Sequence, residues 1–171
     1  MWISSSARLR GMGREVERLT AEGRSVIVVA LTLPAFDDLV RELAPHKPLL
    51  CRDLFGLDIL RGQFFQAGTV AVALANILST DVQASTTVPV EFLVCGRHVA
   101  PTDDESILRF ADLIGTQARV AFHLSLDDLL LKEYVGSLKH LLGRLNISEN
   151  EAISSPMVTR AIARARARRV S

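Results

Sequence analysis

The 171-residue chain contains few cysteines, little net charge and no long apolar segment. Its two cysteines, Cys51 and Cys95, each end an apolar run and have no second cysteine or histidine at metal-site spacing. We therefore predict two buried free thiols in a reducing compartment. No stretch reaches the roughly 18 apolar residues of a membrane span, and the opening residues lack the apolar part of a signal peptide. These absences favour a cytoplasmic protein without an integral membrane segment.

The net charge is only +1, so the chain as a whole exerts no strong field on nucleic acid or lipid. Basic residues are concentrated at the end, where five arginines lie between Arg160 and Arg169. No aromatic side chains alternate with them, so the stacking platform of a single-strand binder is missing. We predict a solvated helix there and no nucleic-acid partner; a docking stripe for an acidic protein is the alternative.

Two nucleotide-binding motifs are also missing. The sequence contains neither the GxxxxGK[ST] phosphate loop nor the GxGxxG dinucleotide fingerprint. The chain therefore cannot hold a nucleoside triphosphate by a standard phosphate cradle of its own.

What is present is an alternation of short apolar strands and amphipathic helices in a chain that is 49% hydrophobic and 23% charged. Continuous β-branched runs are typical of strands buried on both faces, and intervening helices are typical of βαβ units. This pattern predicts a three-layer α/β domain with a mainly parallel sheet. The strands are predicted at 25–32, 47–51, 69–75, 90–95 and 118–125, and the helices at 5–22, 33–44, 56–67, 103–114 and 125–134.

Few side chains form a recognisable catalytic pattern. His98 follows Arg97 after a predicted strand, where parallel sheets bind ligands, but no acidic partner stands at a readable spacing, so catalysis is not favoured. His123 alternates with its apolar neighbours, which favours exposure. The acids at 103–105 and 127–128 are interpreted as first-turn residues that stabilise helix N-termini.

The C-terminal part of the sequence carries two specific patterns. Residues 122–130 read "FHLSLDDLL", and residues 151–162 read "EAISSPMVTRAI". They resemble "FYLSLEDDLM" and "GEAIEHPMVTKAI", which close the second nucleotide-binding domain of the SecA preprotein translocase motor family. Weaker similarity runs upstream in the same order, through "QAGTVAVALANILSTDV" and "VEFLVCGRHVAPTDDESILRF".

The resemblance implies a RecA-like fold of the helicase-domain-2 type over residues 1–146. It also implies that residues 147–171 form an exit loop and the start of a scaffold-type helix. In the family the first RecA-like domain supplies the phosphate loop, and this chain has no counterpart of it.

Departures from the family concern the nucleotide site. The family's "AGRGTD" loop is "NILSTD" here, which retains only Thr80 and Asp81. Its arginine-rich "QLRGRSGRQGD" motif is replaced by "ILRFADLIGTQAR", where Arg109 and Arg119 lie out of register. We predict that Thr80, Asp81, Arg97 and Arg109 are vestigial nucleotide-binding residues. We expect no catalytic residue, no metal and no cofactor, with ATP or ADP as the alternative cofactor. We also expect no ATPase activity from the chain alone.

Apolar residues in place of the family's polar loops predict an exposed apolar surface on the former interdomain cleft face. Ile77, Leu78, His98 and Phe110 are its candidate interface residues. The resulting hypothesis is a non-catalytic, SecA-like second motor domain that binds a protein partner or self-associates. The alternatives are one half of an ATP-driven translocase completed by a separate first motor domain, and a helicase-derived nucleic-acid binder.

Overall fold

The protein is described by a computed structural model over residues 1–53, 66–78, 88–98, 100–114, 117–131 and 152–153, with residues 160 and 163. Five parallel strands form one sheet in the order β2-β3-β1-β4-β5. Their bounds are β1 Ser25–Ala30, β2 Leu49–Cys51, β3 Val70–Leu74, β4 Val90–Cys95 and β5 Arg119–His123. The predicted parallel α/β sheet is confirmed.

The three central strands are buried along their whole length. Val28 of β1 stands in register with Val72 of β3 and with Leu93 of β4, so apolar side chains form continuous rows across the sheet. A strand that is covered on both faces needs apolar side chains on both, so its sequence shows no alternation of apolar and polar residues. The main hydrophobic core therefore lies on this sheet.

Within the described residues, three helices flank the sheet: α1 Ser5–Ala21, α2 Leu33–Glu42 and α3 Pro101–Ile114. Helix α1 begins where the Ser4 hydroxyl accepts a hydrogen bond from the Ala7 amide at 3.1 Å. Gly23, with φ of 76°, ends the turn that follows α1. Thr32 caps α2 in the same way as Ser4 caps α1. Short 3-10 turns at Ala44–His46 and Ala75–Ile77 complete the assigned elements.

Residues 1–3, which we call the strap, pair with the residues that follow β5 through an isolated parallel bridge between Trp2 and Ser125. The Trp2 amide donates to the Leu124 carbonyl at 2.7 Å, and the Leu126 amide donates to the Trp2 carbonyl at 3.0 Å. On the opposite side of the strap, the Ile153 amide donates to the Met1 carbonyl at 2.7 Å. A second hydrophobic cluster, separate from the main core, contains Leu124, Leu126, Leu130, Leu131 and Ile153, with Met1, Ile3 and Phe122 packed against it.

The strand order creates a topological switch point between β1 and β4. The chain leaves β1 toward β2 on one side of the sheet and leaves β4 toward β5 on the other. The loops after β1 and β4 therefore diverge, and a crevice opens between them at the carboxyl edge of the sheet.

One predicted helix differs from the structure, and another lies mostly outside the described residues. Residues 125–131 form successive turns, closed by bonds from Asp128 to Ser125 and from Leu131 to Asp128, instead of a helix. Gln66 and Ala67 lie in a turn, while the rest of the helix predicted at 56–67 lies outside the described residues. Most of the proposed exit segment, residues 147–171, also lies outside them, so the domain boundary stays a prediction.

The prediction of two buried free thiols is confirmed for Cys51 and Cys95. Burial raises the pKa of Cys51 to about 12 and also raises the pKa of Cys95. Within the described ranges, none of the helices is long and apolar enough to cross a bilayer.

Candidate functional site at the carboxyl edge of the sheet

The crevice at the switch point is a cleft of about 390 Å³, which we call the switch-point cleft. Gly96, directly after β4, has φ of 109°, and a Cβ at this position would stand 3.3 Å from Leu31 Cδ1. Glycine therefore lets the two diverging loops approach each other closely. The cleft is lined by Arg8, Leu31, Thr32, Ala35, Cys95, Gly96, Arg97, His98 and residues 127–130.

The Asp104 carboxylate fixes the two polar side chains that follow β4. It lies in the first turn of α3 with its side chain 3% exposed. Its Oδ2 accepts a hydrogen bond from Arg97 Nε at 3.0 Å, and its Oδ1 accepts one from the His98 amide at 3.0 Å. Oδ1 also lies 3.1 Å from His98 Nδ1. One buried carboxylate thus orients both Arg97 and His98.

Two further contacts complete the environment of these residues. The Arg97 guanidinium lies 4.5 Å from the centroid of the Phe122 ring, a cation–π contact. Because Nδ1 of His98 faces Asp104, Nε2 is the ring nitrogen left for the clefts that His98 lines. The arrangement can present an oriented imidazole to a ligand, but the arginine charge is already matched by a carboxylate.

The sequence analysis missed Asp104 as a site residue. It expected no acidic partner for His98, and that expectation is wrong, because the turn into α3 brings Asp104 back to the end of β4. The available signal was an acid in the first turn of a helix only six residues after a strand-end histidine. First-turn acids are so often explained by the helix dipole that this signal alone is weak.

A second ion pair closes the other side of the switch-point cleft. Arg8 of α1, with its side chain 10% exposed, donates from Nη1 to Asp128 Oδ1 at 2.6 Å. The neighbouring Asp127 accepts the Ser5 amide at 2.7 Å. Asp127 therefore accepts a hydrogen bond from an amide in the first turn of α1, which has no partner within the helix. The sequence had suggested instead that Asp127 stabilises the N-terminus of its own helix.

A smaller cleft of about 290 Å³ adjoins the first and shares His98 and Leu31 with it. Its remaining lining comes from the turn after β3 and from the start of α3: Ala75, Asn76, Thr102, Asp103 and Ser106. The two clefts meet at His98, whose side chain borders both of them.

Three of the predicted interface residues are not on the surface. Ile77, Leu78 and Phe110 are 7%, 1% and 2% exposed, so the prediction that they form an exposed apolar patch is wrong. The 3-10 turn after β3 places Ile77 and Leu78 in the main core. Phe110 packs edge-to-face on Phe92 of β4, with ring centroids 6.0 Å apart.

The two described members of the predicted nucleotide-binding set, Arg97 and Arg109, do not lie in one site. Arg109 is 80% exposed on α3, where it pairs with Glu105 at 3.6 Å, and it lines neither cleft. Thr80 and Asp81 lie outside the described residues. Among the predicted site residues that the structure describes, Arg97 and His98 are the ones that meet at the carboxyl edge.

The prediction that His123 is exposed is also wrong. Its Nδ1 accepts a hydrogen bond from Trp2 Nε1 at 3.2 Å, and the two rings stack with centroids 6.2 Å apart. Burial lowers the pKa of His123 to about 4. The sequence gives no sign of this contact, because its partner is contributed by the strap.

A metal centre finds no support in the part of the chain that the structure describes, where no three or more His, Cys, Asp or Glu side chains form a group suited to an ion. The site is therefore best described as a cleft built from two internal ion pairs, an oriented histidine and apolar walls.

Comparison with known proteins gives a weak but nearly complete alignment. No protein-family model matches the chain. The chain aligns with the protein translocase subunit SecA. For SecA of Campylobacter jejuni (serotype O:2, strain ATCC 700819 / NCTC 11168), identity is 25% over 173 aligned residues, which cover 95% of this chain and 20% of that protein. SecA of Campylobacter lari is 26% identical over the same shares. The chain thus spans about a fifth of the length of these curated relatives.

Solved structures with the same fold include the C-terminal part of the Fun30 ATPase domain and T4 UvsW. The first matches with a TM-score of 0.54 and 9% identity, covering 93% of this chain and 52% of that chain. The second matches with a TM-score of 0.53 and 12% identity, covering 81% and 33%. The predicted RecA-like fold is therefore confirmed.

Proposed function

We propose that this chain is a SecA-like second motor domain that does not turn over ATP and acts as a protein-binding or regulatory module. The observation that carries the proposal is the internal pairing of the arginines in the switch-point cleft. Arg97 pairs with Asp104 and Arg8 pairs with Asp128. Phosphoryl transfer requires positive charge aimed at the terminal phosphate. Here a phosphate would have to displace carboxylates from both guanidinium groups.

The start of α3 supports the same conclusion. The amino end of a helix favours an anion because its amides and dipole point toward the ligand. In this chain Asp103 and Asp104 already place negative charge in the first turn. A bound phosphate would meet two acids close to that helix end.

A protein partner fits the remaining chemistry of the cleft better. Leu31, Ala35 and Leu130 line it, and Leu129 at its wall is 62% exposed. Exposed apolar side chains beside a cleft are typical of surfaces that contact another protein. Such a partner would contact His98, one of the predicted interface residues, and Arg97, one of the predicted nucleotide-binding residues.

Calorimetric titration with MgATP and MgADP, together with a hydrolysis assay, tests the proposal. We expect neither binding nor turnover. The variant Asp104→Asn removes the carboxylate that neutralises Arg97, so it should gain affinity for MgADP that the natural chain lacks. Glu105→Gln is the matched control, because it removes an exposed carboxylate on the same helix that pairs only with Arg109 at 3.6 Å among the described residues. Micromolar binding by the natural chain, about −8 kcal/mol, would overturn the proposal.

Such binding would instead support a second candidate, a motor half completed by a separate first motor domain. The observation that favours this candidate is the alignment with SecA, which covers 95% of the chain but only a fifth of the relatives. A nucleotide site shared between two domains needs residues from both, so this candidate requires residual affinity in this half.

A further inference from the structure

The strap is held by a loop that also forms a wall of the switch-point cleft. Residues 124 and 126 exchange backbone hydrogen bonds with Trp2, and residues 127–130 of the same loop line the cleft. Leu130 contributes to both regions: it lines the switch-point cleft, and it packs with Ile153 in the second hydrophobic cluster. A change in this loop therefore reaches the strap directly.

Asp128 determines the shape of the loop through three hydrogen bonds. Its Oδ2 accepts the Ser125 amide at 2.9 Å, and its Oδ1 accepts the Ser125 hydroxyl at 3.1 Å. Its third partner is Arg8, whose Nη1 donates to Oδ1 at 2.6 Å. Ser125 lies between the two residues that bond to Trp2, so the carboxylate fixes the segment on which the strap is paired.

Arg8 is held in this arrangement with one donor unsatisfied. Its Nε is buried and finds no hydrogen-bond acceptor among the described residues. A buried donor without an acceptor destabilises the state that contains it. The docked strap is thus coupled to the Arg8–Asp128 ion pair, which lines the cleft and contains this Nε donor without an acceptor.

We propose that the Arg8–Asp128 ion pair is a latch that couples the switch-point cleft to the strap. A charged group that enters the cleft and draws either side chain away frees the loop at 124–131 and undocks the strap, together with its pairing to Ile153. The latch operates whether or not the cleft binds nucleotide, so it does not depend on the function proposed above.

Amide hydrogen exchange on the full chain tests the latch through the Asp128→Asn variant. Asparagine keeps the size of the side chain but loses the charge that pairs with Arg8. We expect the amides of Trp2, Leu126 and Ile153 to exchange at least about tenfold faster, since hydrogen bonds to charged groups are the strong ones. Amides of β1 and β4 should keep their natural protection. Trp2 is the only tryptophan, so its emission should move toward that of a solvated indole.

The Arg8→Gln variant removes the other partner and should give the same selective acceleration. The double variant should cost less than the sum of the two single variants, because both remove the Arg8–Asp128 pair, while the contact of Arg8 Nη1 with the His123 carbonyl at 3.5 Å is lost only with Arg8. Asp38→Asn is the matched control, since Asp38 belongs to an exposed ion pair with Arg41 on α2. Unchanged strap amides in both single variants would overturn the proposal. Acceleration that appears equally in β1 and β4 would also overturn it, because it would reflect global destabilisation and not a latch.

Discussion

Replacement of Gly11 by alanine should expel the Trp2 side chain from its site on α1. A Cβ built at Gly11 would lie 2.0 Å from Trp2 Cη2 and 2.4 Å from Cζ2 and Cζ3. Ordinary carbon contacts begin well above 3 Å, and the helix backbone cannot retreat from the sheet. The indole is 6% exposed and must move by more than a carbon radius.

The size of the effect follows from two opposing contributions. Alanine is a better helix former than glycine, by about 1 kcal/mol. Against this, an aromatic side chain buries about 150–250 Å², which at about 25 cal/mol per Å² is worth about 4–6 kcal/mol as an upper bound. Relaxation of the site retains part of this burial. We therefore expect Gly11→Ala to lower the free energy of unfolding by about 2 to 4 kcal/mol.

Urea unfolding, followed by far-UV circular dichroism and by the emission of Trp2, measures this change. Gly13→Ala is the matched control on the same helix, because its Cβ would meet only Glu42 Oε1 at 3.2 Å, the end of a flexible side chain. That variant should be unchanged or stabilised by about 0.5–1 kcal/mol. If Gly11→Ala were as stable as Gly13→Ala with native Trp2 emission, the packing of the strap on α1 would be refuted.

Three further predictions concern titratable groups. Asp104→Asn should lower the free energy of unfolding, measured in urea, by about 2 to 3 kcal/mol, since it leaves the partly buried Arg97 unpaired. An unchanged free energy of unfolding would contradict the role of Asp104 in holding the site together. The pKa of His123 is lowered from 6.5 to about 4 in the folded chain. As the pH falls, His123 therefore takes up a proton in the unfolded chain before it does so in the folded chain. Stability should be complete above pH 6.5 and fall by up to about 3 kcal/mol as the pH drops toward 4, a dependence that His123→Asn should weaken. Because Cys51 is buried with a pKa of about 12, iodoacetamide at pH 8 should leave it unmodified in the folded chain and modify it in urea.

Local and periodic features of the fold were predictable from the sequence. The buried strands β1, β3 and β4 follow from continuous apolar runs, and α1 follows from apolar spacing between the cap Ser4 and the terminating Gly23. These signals act within a few residues, so a single sequence contains them in full.

Features that depend on contacts between distant residues were not predictable. Asp127 and Asp128 have the spacing of helix-capping acids, yet they interact with Ser5 and Arg8 about 120 residues earlier. Residues 125–131 consequently form local turns, and their tertiary bonds to Trp2, Ser5 and Arg8 override the helical pattern.

Exposure in the candidate site was predicted wrongly for a related reason. Comparison with the family's polar loops identified where the chain had become apolar, but not whether those residues faced outward. Ile77 and Phe110 instead joined the main core, because a 3-10 turn and the buried face of α3 carry them there. Asp104 was missed because its partners are set by the turn between β4 and α3.

The long sequence separation within the strap has a consequence for synthesis of the chain. Trp2 and His123 are 121 residues apart, so at about 5–20 residues per second Trp2 leaves the ribosome about 6 to 24 s before His123 does. During that interval β1 and α1 can begin to assemble, while the indole has no native site to occupy. Trp2 is therefore an apolar side chain that a nascent-chain chaperone would meet early and would have to release late.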